Sequence, residues 1–150
     1  MGNYNFKKDL KIARKTERDV AKVLEEKWEL ELLEINDDNK YDLIFSDTDN
    51  EKIKFEIKED FMCEHTGNVC LEFQSRGKLS GINVSEADYY IYVIHIKNDI
   101  IYWNIKTKTL KKMIEDEKYF RIVNGGDKGS NTMSYLFKYN VFIEDAKKLN

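Results

Sequence analysis

The sequence predicts an α/β protein with a mixed central β-sheet flanked by helices. The chain opens with a long segment of helical periodicity and continues with several short segments of strand periodicity. A second helix, two strands and a last helix follow. This order is typical of helices packed on the faces of a sheet. A length of 150 residues, with no linker, repeat or break in composition, predicts a single domain over residues 1–150.

The composition favours a globular protein of the cell interior. Hydrophobic residues make up 41% of the chain and charged residues 35%, a balance that distinguishes it from disordered proteins. No apolar run approaches the ~20 residues of a membrane-spanning helix, and the first residues lack the pattern of a secretory signal. Two cysteines then do not suggest a disulfide framework. We expect a cytoplasmic protein without a membrane partner.

The first helix is expected over residues 8–28. Glutamate is rarely buried without a partner, yet Glu17 falls in the middle of the apolar stripe of this helix. Glu17 therefore either reaches out at the edge of the core or is delivered to a site beneath the helix. The stripe consists of Ala13, Val20, Ala21, Leu24 and Trp28.

The charge distribution is more informative than the net charge of −3, which alone does not favour a nucleic-acid partner. Four cations of the first helix share a face turned away from the apolar stripe. This face is either a solvated helix surface, which is the simpler interpretation, or a ridge that contacts phosphates beside a cleft. The four cations are Lys11, Lys15, Arg18 and Lys22.

A hairpin is predicted in the middle of the chain. Residues 53–58 alternate between apolar and charged side chains, as in a strand with one buried face. Residues 40–45 form a second strand pattern. Residues 46–51 between them are rich in side chains that favour turns.

This hairpin groups residues suited to bind a metal. Glu56 and Lys58 point the same way from their strand, and pairing places Asp42 of the other strand next to Glu56. One interpretation is a solvated strand face with a salt bridge. The other is a site for a hard cation, Mg²⁺ or Mn²⁺, because two converging carboxylates are unfavourable unless a cation joins them.

The chain resembles the PD-(D/E)XK, or restriction-endonuclease-like, nuclease superfamily. Helical Glu17, strand-borne Asp42, and Glu56-Ile57-Lys58 on the next strand follow in the order of that motif. Residues 67–93 resemble small phage and bacterial nucleases of this superfamily, with an acidic residue, Glu72, on a strand that precedes Ser75-Arg76-Gly77-Lys78-Leu79-Ser80-Gly81-Ile82 and then Ala87-Asp88-Tyr89-Tyr90. Together these matches cover about the first two thirds of the chain.

The resemblance implies a restriction-endonuclease-like core and Mg²⁺-dependent (or Mn²⁺-dependent) hydrolysis of phosphodiester bonds, with products that carry 5′-phosphate and 3′-hydroxyl ends. Asp42, Glu56 and the Ile57 carbonyl would hold the metal, with Glu17 reaching the cluster and Glu72 as a further ligand or neighbour. Lys58 would orient or help to deprotonate the attacking water and stabilise the transition state.

One departure from the motif is plain. The proline of the family name is missing, since Tyr41 precedes Asp42 and the chain contains no proline. This leaves Asp47 and Asp49 as alternative ligands in place of Asp42.

The expected partner is DNA, branched or single-stranded forms included. Residues 75–81 carry two cations, two glycines and two hydroxyls, and Arg76, Lys78 and Ser80 would contact phosphates. A plain connecting turn is an equal alternative. Homodimers occur in the superfamily when both strands are cut, although no segment marks an interface.

The remaining elements are predicted from local patterns. Cys63, His65 and Cys70 lack a fourth ligand for a closed zinc site, and His95 is expected in the core or at its edge. The segments are strands over 30–35, 69–73, 89–96, 100–105, 119–123 and 134–139; a polar loop over 59–68; a loop over 125–131; and helices over 107–118, with its N-cap at Thr107 or Thr109, and 142–149.

Two functions without catalysis stay open. The same fold could form a nucleic-acid-binding module in which the acidic residues of the motif stabilise the structure and do not take part in cleavage. The acidic charge also fits, more weakly, a module that binds another protein.

Overall fold

The fold was determined from a computed structural model, which describes residues 6–36, 41–126 and 129–150, with side chains from residue 11 onward. The chain is mixed α/β, with one six-stranded sheet, one four-stranded sheet and helices packed on them. The helices are α1 Phe6–Trp28, α2 Cys63–Thr66, α3 Thr107–Glu115 and α4 Tyr139–Phe142, with short 3₁₀ turns at Gly81–Asn83 and Ile143–Asp145.

The larger sheet has the strand order β1-β2-β3-β6-β7-β10. Only β3 and β6 pair in parallel; the other neighbours in this sheet are antiparallel, so the sheet is mixed. Its strands are β1 Glu31–Ile35, β2 Leu43–Ser46, β3 Lys52–Asp60, β6 Tyr89–Ile96, β7 Asp99–Lys106 and β10 Lys147–Lys148.

The smaller sheet is antiparallel and has the order β5-β4-β9-β8. Two of its strands, β4 and β5, lie in the connection between the parallel strands β3 and β6. The chain therefore crosses one face of the larger sheet through two strands of the smaller sheet, and not through a single long helix. The strands are β4 Asn68–Ser75, β5 Lys78–Leu79, β8 Arg121–Gly125 and β9 Thr132–Lys138.

The two faces of the larger sheet are covered differently. Helix α1 packs Val20, Ala21 and Leu24 on the face that carries Phe55 and Ile91. The opposite face meets the smaller sheet and α3 in a second apolar cluster, built around Tyr90, Tyr92, Leu71, Phe137 and Leu110. Because side chains alternate along β3, Glu56 and Lys58 point to this second face, away from α1.

Most elements agree with the sequence patterns. The hairpin of β2 and β3, the first helix, both central strands and the strands of the last third are confirmed. The core strand β6 is buried from Tyr90 to Ile94, as its unbroken apolar run predicted.

Four local predictions were wrong. The loop expected over 59–68 contains α2, because β3 continues to Asp60, whose carboxylate accepts the Met62 and Cys63 N–H groups. The loop over 75–81 contains a tight hairpin. The helix expected over 142–149 is a short helix followed by a 3₁₀ turn and a two-residue strand on β7. Neither threonine caps α3. Lys40, Asp127 and Lys128 lie outside the described residues.

None of the helices in the described part of the chain combines the length and the apolar character needed to cross a membrane.

The packing of α1 gives a stability prediction. Leu24 is fully buried against the larger sheet, so Leu24→Ala is expected to lower the free energy of unfolding by about 2–5 kcal/mol, measured by urea denaturation. Ile12 lies on the same helix and is 36% exposed, so Ile12→Ala serves as the control, with a change within about 0.5 kcal/mol. Equal losses for the two variants would contradict this packing.

Candidate metal-binding site at the end of strands β2 and β3

The hairpin turn and Asp42 lie at opposite ends of β2. In the turn, Asp47 Oδ1 accepts the N–H groups of Asp49 and Glu51, both at 2.9 Å. Asp47 thus stabilises the turn, and Asp49 is exposed beside it. Strand β2 separates both acids from Glu56, so of the three candidate aspartates Asp42 is the one placed next to Glu56.

Asp42 lies where the pairing of β2 with β3 ends. The Asp42 N–H donates to the Phe55 carbonyl at 2.8 Å, and the Ile57 N–H donates to Asp42 Oδ2 at 2.7 Å. The regular pairing ends at Leu43 and Phe55, and beyond it the Asp42 carboxylate lies against the Ile57 N–H, close enough to act on the charge of Glu56. The N–H and C=O of one strand residue point to the same side, so the Ile57 carbonyl faces the same sheet edge as Asp42.

Glu56 and Lys58 form an ion pair beside Asp42. Lys58 Nζ lies 3.0 Å from Glu56 Oε1, with the Glu56 side chain 11% exposed and the Lys58 side chain 43% exposed. The second oxygen, Glu56 Oε2, is buried and has no hydrogen-bond partner among the described residues. A buried carboxylate oxygen without a partner is unfavourable, so this atom is a vacant acceptor.

The protonation of the pair follows from its surroundings. Burial raises the pKa of Glu56, the Lys58 ammonium opposes this rise, and the Asp42 carboxylate adds to it. Burial alone would lower the pKa of Lys58, but the charge and hydrogen bond of Glu56 outweigh it, so the pKa of Lys58 is raised. Lys58 is therefore a cation at neutral pH.

A cavity of about 270 Å³ adjoins Lys58 between the two sheets. Besides Lys58, it is lined by Glu72, Tyr90, Tyr92 and Ser134. Glu72, a predicted additional ligand, thus borders the same space as Lys58. Gly81 closes one side, and a Cβ atom built there would lie 2.0 Å from the Glu72 carbonyl oxygen. Only glycine allows this close approach.

Glu17 is not brought together with the other acids. It belongs to α1, which covers the opposite face of the larger sheet, and its neighbour Thr16 donates to the Glu59 carboxylate on that face at 2.9 Å. Within the described residues, no three carboxylate, histidine or cysteine side chains form a metal-binding group. The expected three-acid cluster is therefore absent from this part of the chain, and Asp42 and Glu56 form a pair.

The predicted DNA-contacting residues lie on the hairpin of β4 and β5. Arg76 and Gly77 both have positive φ angles, 52° and 74°, and form its two-residue turn. Arg76 and Lys78 are exposed. Ser80 differs, because its Oγ is buried without a partner among the described residues. The hairpin leads through Ser80 to Gly81, which lines the cavity, whereas Arg76 and Lys78 are not among its lining residues.

Several cavity residues were missed by the sequence analysis, and Tyr90 and Ser134 show why. Tyr90 lies in the apolar run of β6, where alternation does not distinguish a residue that lines a cavity from one in the core. Ser134 is 5% exposed on β9, in the last third of the chain, and no local signal marks it.

No family model matches the chain, and no relative is found among curated proteins.

The raised pKa of Glu56 predicts how stability depends on pH. At pH values just above 4.5, the ordinary pKa of a glutamate, Glu56 keeps its proton in the folded protein, whereas the unfolded chain has released it. The stability from this proton is complete below pH 4.5 and is lost as the pH rises through the folded-state pKa. Glu56→Gln removes the titration, so at neutral pH, without divalent metal, the variant should be at least as stable as the wild type.

Urea denaturation of both proteins between acidic and neutral pH measures this difference. Relative to the variant, the wild type should lose free energy of unfolding as the pH rises. A wild type that gains stability over the variant in that interval would show that the ion pair outweighs the burial of the carboxylate.

Proposed function

We propose that the protein is a metal-dependent nuclease that hydrolyses phosphodiester bonds, most readily in DNA, and that its larger sheet is a restriction-endonuclease-like core. One observation carries the proposal. At the point where β2 and β3 separate, Asp42 lies next to Glu56 and Lys58, and a buried oxygen of Glu56 has no partner among the described residues.

The residues present fit Mg²⁺ or Mn²⁺. Asp42, Glu56 and the Ile57 carbonyl offer oxygen ligands at one sheet edge. Mg²⁺ is commonly held by one or two carboxylates, with waters and substrate phosphates completing its shell, so the lack of a third acid does not disfavour it. A cation at the vacant Glu56 oxygen would also offset the burial and the repulsion from Asp42 that raise the Glu56 pKa.

Mg²⁺ bound there would lower the pKa of a coordinated water and neutralise charge on the phosphate oxygens. Lys58 has a raised pKa and is a cation. This charge favours an electrostatic role over a role as general base. Lys58 would orient the water and the phosphate and stabilise negative charge in the transition state. Asp42 also fixes the backbone, since its carboxylate accepts the Ile57 N–H.

The surroundings support an extended anionic substrate. Arg76 and Lys78 are exposed on the hairpin that leads to Gly81 of the cavity wall, and they would contact the phosphates of a single strand or of branched DNA. Glu72 borders the cavity and would act on the water network near the metal. Glu17 belongs to α1, which packs on the opposite face of the larger sheet, so the proposal assigns it no ligand role.

A second candidate is a nucleic-acid-binding module that does not cut. It is favoured by the internal pairing of the site, in which Lys58 binds Glu56 and the Ile57 N–H binds Asp42. Such a module needs no divalent metal. The two candidates therefore differ in whether Mg²⁺ binds at Glu56.

Metal binding is tested by stability. Mg²⁺ at a hundredfold excess over its dissociation constant should raise the free energy of unfolding by about 2.7 kcal/mol. Glu56→Gln should lose most of this gain because the variant has no charged ligand at that position. Equal stabilisation of both proteins, or of neither, would place no metal at Glu56 and would favour the binding module.

Cleavage is tested with Lys58→Ala and with Lys54→Ala as the matched control on the same strand. The Lys54 ammonium lies over the Tyr41 ring at 4.9 Å, and within the described residues it is Lys58, not Lys54, that pairs with Glu56. Lys58→Ala should lower the Mg²⁺-dependent rate about 10²–10³-fold, as expected when one group that stabilises the transition state is removed. Lys54→Ala should retain most activity.

The substrates for this comparison are single-stranded, duplex, flapped and junction DNA, and RNA, each with Mg²⁺ and with Mn²⁺. A wild type that cleaves none of them, or activity that survives in Lys58→Ala, would contradict the proposed mechanism.

A further inference from the structure

A second polar site lies at the N-terminus of α3, on the face of the larger sheet that also carries Glu56. A cavity of about 370 Å³ opens there between the start of β6 and the first turn of α3. Three lysines line it, Lys106, Lys108 and Lys111, and all three are exposed. None of them forms an ion pair with a residue in the described ranges.

The helix end supplies free backbone donors. The Thr107 N–H donates to the Asp88 carbonyl at 2.9 Å. No side chain caps the helix, and Lys108 and Thr109 lie in its first turn, where the N–H groups have no carbonyl four residues back in the helix to bind. The first turn contains no acidic residue. Unpaired N–H groups at the positive end of a helix favour an anion.

Thr107 gives an independent indication of a ligand. It lines the cavity, is 6% exposed, and its hydroxyl has no hydrogen-bond partner among the described residues. A buried hydroxyl in this state is unfavourable unless a ligand or water completes it.

One acid also lines this cavity. Asp88 Oδ2 accepts the Lys54 N–H at 2.9 Å, and this hydrogen bond holds the carboxylate at the cavity wall. Because the three lysines outnumber this one carboxylate, the side chains that line the cavity carry a net positive charge.

We propose that the cavity at the start of α3 is a binding site for a phosphate group, held by the Lys108 and Thr109 N–H groups, the Thr107 hydroxyl and the lysines 106, 108 and 111. The site does not depend on cleavage and stands apart from Asp42, Glu56 and Lys58. The phosphate would be either a free phosphate or a backbone phosphate of a nucleic-acid strand.

Titration with inorganic phosphate, followed by the backbone amide resonances of the full chain, tests the site. Chloride at matched ionic strength gives the reference. The Lys108 and Thr109 amides should shift and saturate. Shifts scattered over many surface lysines without saturation would overturn the proposal.

Matched variants separate this site from general charge. Lys108→Ala/Lys111→Ala should weaken phosphate binding at least about tenfold, as expected for the loss of charged hydrogen bonds. Lys27→Ala/Lys97→Ala removes the same charge from exposed positions of α1 and of the turn after β6 and should leave the affinity within about twofold. Equal weakening by the two pairs would overturn the proposal.

Thr107→Val keeps the shape of the side chain and removes the hydroxyl. The variant should unfold at the same or higher urea concentration, because an unpaired buried hydroxyl is removed, while its phosphate affinity falls. If Thr107→Val binds phosphate with the affinity of the wild type, the Thr107 hydroxyl does not contact the phosphate.

A single-stranded oligonucleotide distinguishes the two sources of phosphate. If the ligand is a nucleic-acid strand, the oligonucleotide should shift the same two amides at much lower concentration than inorganic phosphate, and Lys58→Ala should not change this. If the ligand is free phosphate, the oligonucleotide should leave them unshifted. If Lys58→Ala abolishes cleavage but these amide shifts remain, the phosphate site is independent of the nuclease site. The phosphate site can therefore be established even if the protein is not a nuclease.

Discussion

The burial of the Glu56 carboxylate between the two sheets is the constraint on which the candidate site depends. A charged carboxylate that is removed from water must gain partners or take up a proton. Here Lys58 compensates one oxygen, Asp42 adds repulsion, and the second oxygen has no partner in the described part of the chain. This arrangement is poor for stability alone. A bound cation would offset the repulsion and the burial, which is why we propose metal-dependent chemistry here.

The pairing of strands determines where this constraint acts. Strand β2 begins at Leu43, which pairs with Phe55, so beyond Phe55 β3 has no neighbour on that side among the described strands while it keeps β6 on the other. Asp42 replaces the missing strand by accepting the Ile57 N–H. The same carboxylate thus completes the sheet and stands beside Glu56. Its replacement by alanine would disturb both, whereas asparagine retains an acceptor for the N–H and removes the charge.

Local patterns predicted the hairpin and the pairing of Asp42 with Glu56, because both depend on alternation and on turn residues close in sequence. The position of Glu17 was not predictable in the same way. Helical periodicity shows that Glu17 lies in an apolar stripe, but such a stripe packs on the apolar face of a strand. On β3 that face carries Phe55, and Glu56 and Lys58 point in the opposite direction. The cavity residues Tyr90 and Ser134 come together only through the contact of two sheets, which no local pattern records.

The route of the chain between β3 and β6 has a kinetic consequence. The pairing of β3 with β6 encloses residues 61–88, which leave the larger sheet, form one edge of the smaller sheet and return. Contacts that enclose a long segment form slowly, because the segment loses conformational freedom before the pairing compensates for it. Strand β9, which completes the smaller sheet, arrives later still in sequence. We therefore expect the hairpin of β2 and β3 to fold early and the cavity beside Lys58 to assemble among the last steps of folding.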